Sequence, residues 1–180
     1  RNTVLPTRRT LAFPLNKTVI KGTTDEVIRV NVLQGSHESL PESNKILGYI
    51  LITGKNLTRD ISKGSDIEIT VSLSESQDLT VSAYFNMANQ EFKETFNPKE
   101  RHTDIVFLKE QVVDLSEKLE SEIALATEKE DYETASTLNK LKKKMDTVTE
   151  ETERLTKDDV TDKRYQLEDK KRTIAQEIDS

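Results

Sequence analysis

The sequence has no cysteine and no tryptophan, and beyond residue 98 it has neither glycine nor proline. Without cysteine the chain forms no disulfide and no thiolate zinc site, and we expect a reducing, cytoplasmic compartment. All five glycines and all four prolines lie within the first 98 residues. Because these residues mark turns and interrupt helices, the chain divides into a turn-rich first part and an uninterrupted second part.

Long apolar runs and an excess of basic residues are also missing. The longest apolar runs, such as Tyr49–Ile52, are far shorter than the roughly 20 residues of a membrane span, so we expect no membrane partner. The 27 basic and 33 acidic residues give a formal net charge of -6. We expect no nucleic-acid partner either, because phosphate binding requires a basic surface. Residues 1–100 hold 12 residues of each sign, so the acidic surplus lies in the second part.

The first part is predicted to form short β-strands, because apolar and polar residues alternate along it. The clearest strand is Asp66–Ser74, and Ile46–Thr53 is apolar on both faces, which predicts a strand in the middle of a sheet. Other strands are predicted at Glu26–Leu33, Asp78–Phe85 and Gln90–Asn97. Short strands separated by turn residues are typical of an antiparallel β-sandwich.

The second part is predicted to be helical, because its apolar residues recur every three to four positions. A long helix is predicted at Thr103–Glu128, and a second helix begins after Asp131, which is a good N-cap residue. A third helix is introduced by Thr156–Asp159, which matches the capping-box pattern. Short polar joints predict a helical hairpin or a three-helix bundle, and one continuous coiled coil is the alternative. The expected fold class is therefore α+β, with a sandwich at residues 1–98 followed by a helical domain at residues 99–180.

Motifs that commonly carry catalysis or bind metal ions are missing from the sequence. The two histidines, His37 and His102, have no partner at metal-ligand spacing. No glycine-rich phosphate loop opens a helix, and no Gly-x-Ser-x-Gly motif surrounds a serine. We therefore predict no catalytic residue, no metal site and no enzymatic activity for this chain.

Five segments of the first part resemble, in order and spacing, the substrate-binding domain of the seventy-kilodalton heat-shock chaperones. These segments are Asn2–Arg9, Val32–Gly35, Asn44–Gly48, Ile67–Val71 and Leu79–Ala83. The resemblance covers roughly residues 2–97 and implies a peptide-binding β-sandwich covered by a helical lid. It also implies that ATP is bound by a separate domain of the parent protein, with no cofactor in this chain. Unfolded or extended polypeptides, together with co-chaperones, would be the partners.

The resemblance assigns roles to six residues. The family's apolar peptide pocket corresponds to Phe13, Ile28, Val30 and Ile67. The basic residue and the glycine that take part in lid closure correspond to Lys63 and Gly64. From the residues alone, the four apolar side chains are better explained as core residues of amphipathic strands, and the resemblance makes the pocket an equally good interpretation.

The expected protein is a fragment, because the chain begins at Arg1 and the family's first strands precede Asn2. A sheet that lacks those strands exposes its edges, so self-association through sheet edges is expected. The alternative function is a helical interaction or scaffold module that self-associates or docks on a partner protein through its apolar stripes.

Overall fold

The computed structural model describes residues 4–99 and 103–179. These residues form six β-strands followed by three α-helices, which confirms the α+β class with antiparallel sheets before helices. The strands are β1 (Thr7–Pro14), β2 (Val27–Gln34), β3 (Lys45–Thr53), β4 (Asp66–Leu73), β5 (Leu79–Phe85) and β6 (Gln90–Phe96). The helices are α1 (Ile105–Glu128), α2 (Tyr132–Glu153) and α3 (Thr161–Ile178). None of them is long and apolar enough to cross a membrane, as far as the described residues show.

Four strands form an antiparallel sheet in the order β1-β4-β5-β6. Residues that face each other across the ladder share one side of the sheet, so a row of partners shows what that side carries. One such row joins Leu11, Ile69, Ala83 and Phe92. The neighbouring row joins Phe13, Ile67, Phe85 and Gln90. This side is therefore apolar, as the alternation in the sequence predicts.

The remaining two strands, β2 and β3, form a second sheet that shares a core with the first. Ile28 of β2, Ile52 of β3 and Ile67 of β4 belong to one buried cluster, which makes the arrangement a sandwich. The prediction that residues 46–53 lie in the middle of a sheet is wrong, because among the described strands β3 pairs with β2 alone. The apolar character of its two faces reflects burial of neighbouring residues such as Ile46 and Leu47 rather than strands on both sides.

Close approach between the sheets requires glycine at one position. A Cβ atom on Gly48 of β3 would lie 2.4 Å from Cε1 of Phe96 on β6, well inside the distance of any real contact. Glycine therefore lets the aromatic ring pack directly against the β3 backbone.

The chain separates into two compact units, and the boundary does not follow the sequence order. The first, which we call the sandwich unit, comprises Arg1–Val32 and Leu47–Glu100. The second, which we call the helical unit, comprises Leu33–Ile46 and Arg101–Ser180. The segment 33–46, which the sequence places in the sandwich, thus belongs with the helices. Two side-chain contacts hold it there: Leu40 N–H donates to Asp179 at 2.9 Å, and Lys118 donates to both oxygens of Glu42 at 2.9 and 2.8 Å.

The three helices pack their apolar stripes against one another. Leu115 of α1, Met145 of α2 and Leu167 of α3 lie in one buried cluster. Asp131 is the N-cap of α2 as predicted, and its carboxylate accepts a hydrogen bond from Thr134 N–H at 3.1 Å.

The predicted start of α3 is wrong. Asp159 accepts hydrogen bonds from the backbone and the hydroxyl of Thr156, at 2.7 and 3.2 Å, and closes a turn of its own. The helix begins only at Thr161, after Val160, which is the N-cap residue and makes no side-chain capping bond. The Thr-x-x-Asp spacing therefore stabilises a turn before the helix rather than the helix end itself.

Candidate functional site

Among the described strands β1 is the most exposed, and we call its residues Thr7–Pro14 the β1 edge. It is the first strand in the order β1-β4-β5-β6, so within the described residues only β4 pairs with it. Its second row of backbone N–H and C=O groups therefore faces outward, away from the ladder with β4. Such a row can accept another extended segment by strand addition.

Two apolar side chains of the β1 edge lie on the core side of the sheet and are nevertheless half-exposed. Leu11 is 47% exposed and Phe13 is 48% exposed. Their partners on β4 are more deeply covered: Ile67, opposite Phe13, is 4% exposed and Ile69, opposite Leu11, packs against the core. The buried core therefore covers β4 but not all of β1, and Leu11 and Phe13 form a half-exposed apolar strip at the β1 edge.

The four predicted pocket residues fall into two environments. Ile28, at 6% exposure, and Ile67 are members of the buried core, and Val30 packs against that core. Phe13 lies directly across the ladder from Ile67, and its side chain is open to solvent. The structure therefore brings Ile28, Val30 and Ile67 together as core neighbours and leaves Phe13 as the accessible member of the set.

The predicted lid-closing pair lies in the turn just beyond the β1 edge. Gly64 N–H donates to the carbonyl of Leu15 at 2.8 Å, and Lys63 N–H donates to the hydroxyl of Thr18 at 3.0 Å. Gly64 has a φ of +84°, a conformation that glycine adopts without strain. Both residues are exposed. A role in lid closure stays a prediction.

Sequence reasoning missed Leu11 and the two arginines of the β1 edge, Arg8 and Arg9. The spacing of Arg9, Leu11 and Phe13 is the signal that could have found them, because alternate residues of a strand lie on one face. The signal is weak because Thr7–Thr10 contains no apolar residue, so the stretch does not read as an amphipathic strand.

Several polar side chains are buried together in the helical unit. Glu168 on α3 accepts hydrogen bonds from the Ile46 N–H at 3.2 Å and from the Thr103 hydroxyl. Lys171, one turn further along, donates to the side-chain oxygen of Gln111 and is fully buried. Burial lowers the pKa of Lys171 to about 8, although the nearby carboxylates of Glu168 and Glu42 act in the opposite direction. We call these residues, with Glu42, the buried polar cluster.

Residues 4–99 and 103–179 contain no group of three or more His, Cys, Asp or Glu side chains arranged to hold a metal ion. His37 lies 3.9 Å from Glu38 on an exposed loop, and His102 lies outside the described residues.

Comparison of the chain with protein-family models and with curated proteins finds no match.

Proposed function

We propose that the sandwich unit binds extended apolar segments of unfolded polypeptides, and that the chain is part of a chaperone. The observation that carries this proposal is the β1 edge, where an open backbone edge lies beside the half-exposed side chains of Leu11 and Phe13. The resemblance to the seventy-kilodalton heat-shock chaperones supports it. In the proposed parent protein a separate ATPase domain regulates the affinity and co-chaperones assist it. The lack of cysteine favours the cytoplasm as its compartment.

Such an edge binds many sequences for a simple physical reason. Every residue of an extended segment offers the same backbone N–H and C=O groups, so strand addition does not depend on sequence. Burial of one Leu or Ile side chain contributes about 1.5–3 kcal/mol, which favours apolar segments. Unfolded chains expose such segments and folded proteins bury them, so this edge would distinguish the two.

The alternative, a helical interaction module, has less support. Its apolar stripes would have to face a partner, and residues such as Leu108, Val112 and Leu119 instead form the core of the helical unit itself.

Fluorescence anisotropy with a labelled leucine-rich peptide tests the proposal on the whole chain. We expect saturable micromolar binding, and we expect Leu11→Asp and Phe13→Asp each to weaken it about tenfold or more, because each places a charge against the apolar side chain of the peptide. Leu51→Asp is the matched control, since Leu51 is also 47% exposed but lies on β3 of the other sheet.

Two results would count against peptide binding at the β1 edge. One is the lack of saturable binding by the wild-type chain. The other is an equal loss of affinity in Leu51→Asp, which would show that any added charge on the sandwich has the same effect. Circular dichroism of all three variants establishes that they remain folded.

A further inference from the structure

The β1 edge carries charge as well as apolar surface. Arg8 and Arg9 precede the apolar part of the strand, and both are exposed. Because they are consecutive, their side chains leave opposite faces of the sheet, and Arg9 shares the face of Leu11 and Phe13. The edge thus presents two apolar residues at one end and a positive charge on each face at the other.

The ladder with β4 offers these arginines no opposite charge. Ser72 lies directly across from Arg8 and Val71 directly across from Arg9. A strand that adds to the outer side of β1 would place its own side chains beside the arginines, at a cross-strand separation where opposite charges stabilise pairing.

Register determines the sequence such a strand should have. In an antiparallel segment whose first position lies opposite Phe13, the third position lies opposite Leu11 and the fifth opposite Arg9. The sixth position lies opposite Arg8, on the other face. Antiparallel addition continues the pattern of this sheet, since all three of its ladders are antiparallel.

We infer that the β1 edge selects extended segments with apolar residues at positions one and three and acidic residues at positions five and six. This inference rests on the proposed peptide binding and defines its substrate class. The segment pairs antiparallel to β1, so its apolar end lies beside Phe13 and its acidic end beside the two arginines.

A second copy of the chain fits this edge less well than such a peptide. The β1 sequence, Thr7–Pro14, contains no acidic residue. Antiparallel pairing of two copies that sets Leu11 against Phe13 would place Arg9 opposite Leu15, so the positive charges of both copies would stay without a counter-charge. Charge complementarity therefore favours a partner strand that ends in acidic residues.

The test measures binding of three labelled six-residue peptides to the whole chain at low salt. The peptides differ only in the charge at one end or in the order of their residues. The first is Leu-Thr-Leu-Thr-Glu-Glu, the second carries Lys-Lys at its end, and the third is the first peptide in reverse order. We expect the acidic peptide to bind about fivefold more tightly than the basic one, because exposed cross-strand ion pairs are individually weak. This difference should shrink at high salt, which screens exposed charges. The reversed peptide should bind more weakly than the acidic one.

A charge exchange provides the decisive variant. In the double variant Arg8→Glu with Arg9→Glu, we expect the preference to invert, so that the basic peptide binds more tightly. The double variant Lys55→Glu with Arg59→Glu changes the net charge equally at exposed positions outside the strands, and it should keep the preference of the wild type.

Each failure has a distinct meaning. Equal binding of acidic and basic peptides, or an unchanged preference in the β1 variant, overturns the inference and leaves the proposed peptide binding intact. Equal binding of the reversed peptide overturns the antiparallel register. Binding of none of the peptides overturns both proposals. Dimerisation in sedimentation equilibrium that is abolished by Leu11→Asp and competes with the peptides would identify a second copy as the occupant instead.

Discussion

Side chains of the same apolar type have different roles in this protein according to how far the core covers them. Ile28 and Phe13 were both predicted to line a pocket, yet Ile28 is buried in the sandwich core and Phe13 is half-exposed. Alternation predicts the strand of Ile28, whereas Phe13 is assigned by the resemblance alone, and neither carries information on where the covering sheet ends. The accessible part of the candidate site could therefore not be predicted from the pattern alone.

Substitution by alanine should separate these two environments. We expect Ile28→Ala to lower the free energy of unfolding by about 2–5 kcal/mol, since it removes buried methyl groups and leaves a cavity. Phe13→Ala should lower it by less than about 1 kcal/mol, because the Phe13 side chain is half-exposed and its removal leaves no enclosed cavity. Urea denaturation followed by circular dichroism measures both, and similar losses in the two variants would show that Phe13 is a core residue after all.

The buried lysine of the helical unit should make stability depend on pH. Below about pH 8 Lys171 is charged in both the folded and the unfolded state, and the cost of burying that charge is fully present. Between about pH 8 and 10.5 the folded state has lost the proton while the unfolded state retains it. The unfolded state then binds more protons, so the free energy of unfolding rises with pH, by about 3 kcal/mol across the window.

Urea denaturation across that pH window measures this contribution as a difference between variants. Lys171→Met should lose the rise, because it has no group to titrate. Lys170→Met is the matched control: Lys170 lies on the same helix but is half-exposed and pairs with Glu151 at 3.0 Å, so the rise should persist. An identical pH dependence in Lys171→Met and the wild type would contradict the assignment.

At the scale of elements, periodicity predicted five of the six described strands and all three helices, missed β1, and was less accurate on where the elements end. The strand expected at Asp66–Ser74 is found as Asp66–Leu73, and the helix expected at Thr103–Glu128 is found as Ile105–Glu128. The start of α3 could not be predicted, because Thr156 and Asp159 can cap either a helix or a turn, and only the neighbouring packing decides. The sequence likewise did not predict which strands pair with one another: β3, expected in the middle of a sheet, lies in a two-stranded sheet with β2.

The uncapped start of α3 offers a gain in stability. Val160 is the N-cap residue, is 71% exposed and provides no side-chain acceptor. Val160→Ser should raise the free energy of unfolding by about 1 kcal/mol, because a serine hydroxyl can accept a hydrogen bond from an otherwise unpaired N–H of the first turn.

Val113→Ser is the control for that change, since Val113 is half-exposed in the middle of α1, where no N–H group is unpaired. Thermal unfolding of both variants measures the difference. An equal or lower stability of Val160→Ser relative to wild type would show that α3 does not begin where the structure places it.

At the scale of the whole chain, the second unit is built from two stretches far apart in sequence. The hydrogen bond from Leu40 to Asp179 spans 139 residues, and the one from Ile46 to Glu168 spans 122. Composition divides the chain near residue 98, but it does not predict that residues 33–46 pack with the helices. This segment contains the glycine and proline that are typical of the first part.

Hydrogen exchange should detect the hydrogen bond between the Leu40 amide and Asp179. We expect Asp179→Ala to speed exchange of the Leu40 amide and its neighbours, because the amide loses its acceptor. Amides of β4 and β5, which lie in the other unit, should exchange at the wild-type rate. Asp169→Ala removes a carboxylate from the exposed side of the same helix and serves as control. Unchanged protection of Leu40 in Asp179→Ala would contradict the contact.

The return of residues 33–46 to the helices has a consequence for biosynthesis. A ribosome releases this segment long before the last helix, and at about 5–20 residues per second the delay is on the order of ten seconds. During that interval Leu40 and Glu42 have emerged but lack Asp179, which lies at the end of α3. The helical unit therefore completes its assembly only after α3 has been synthesised, by which time every described strand of the sandwich has been made.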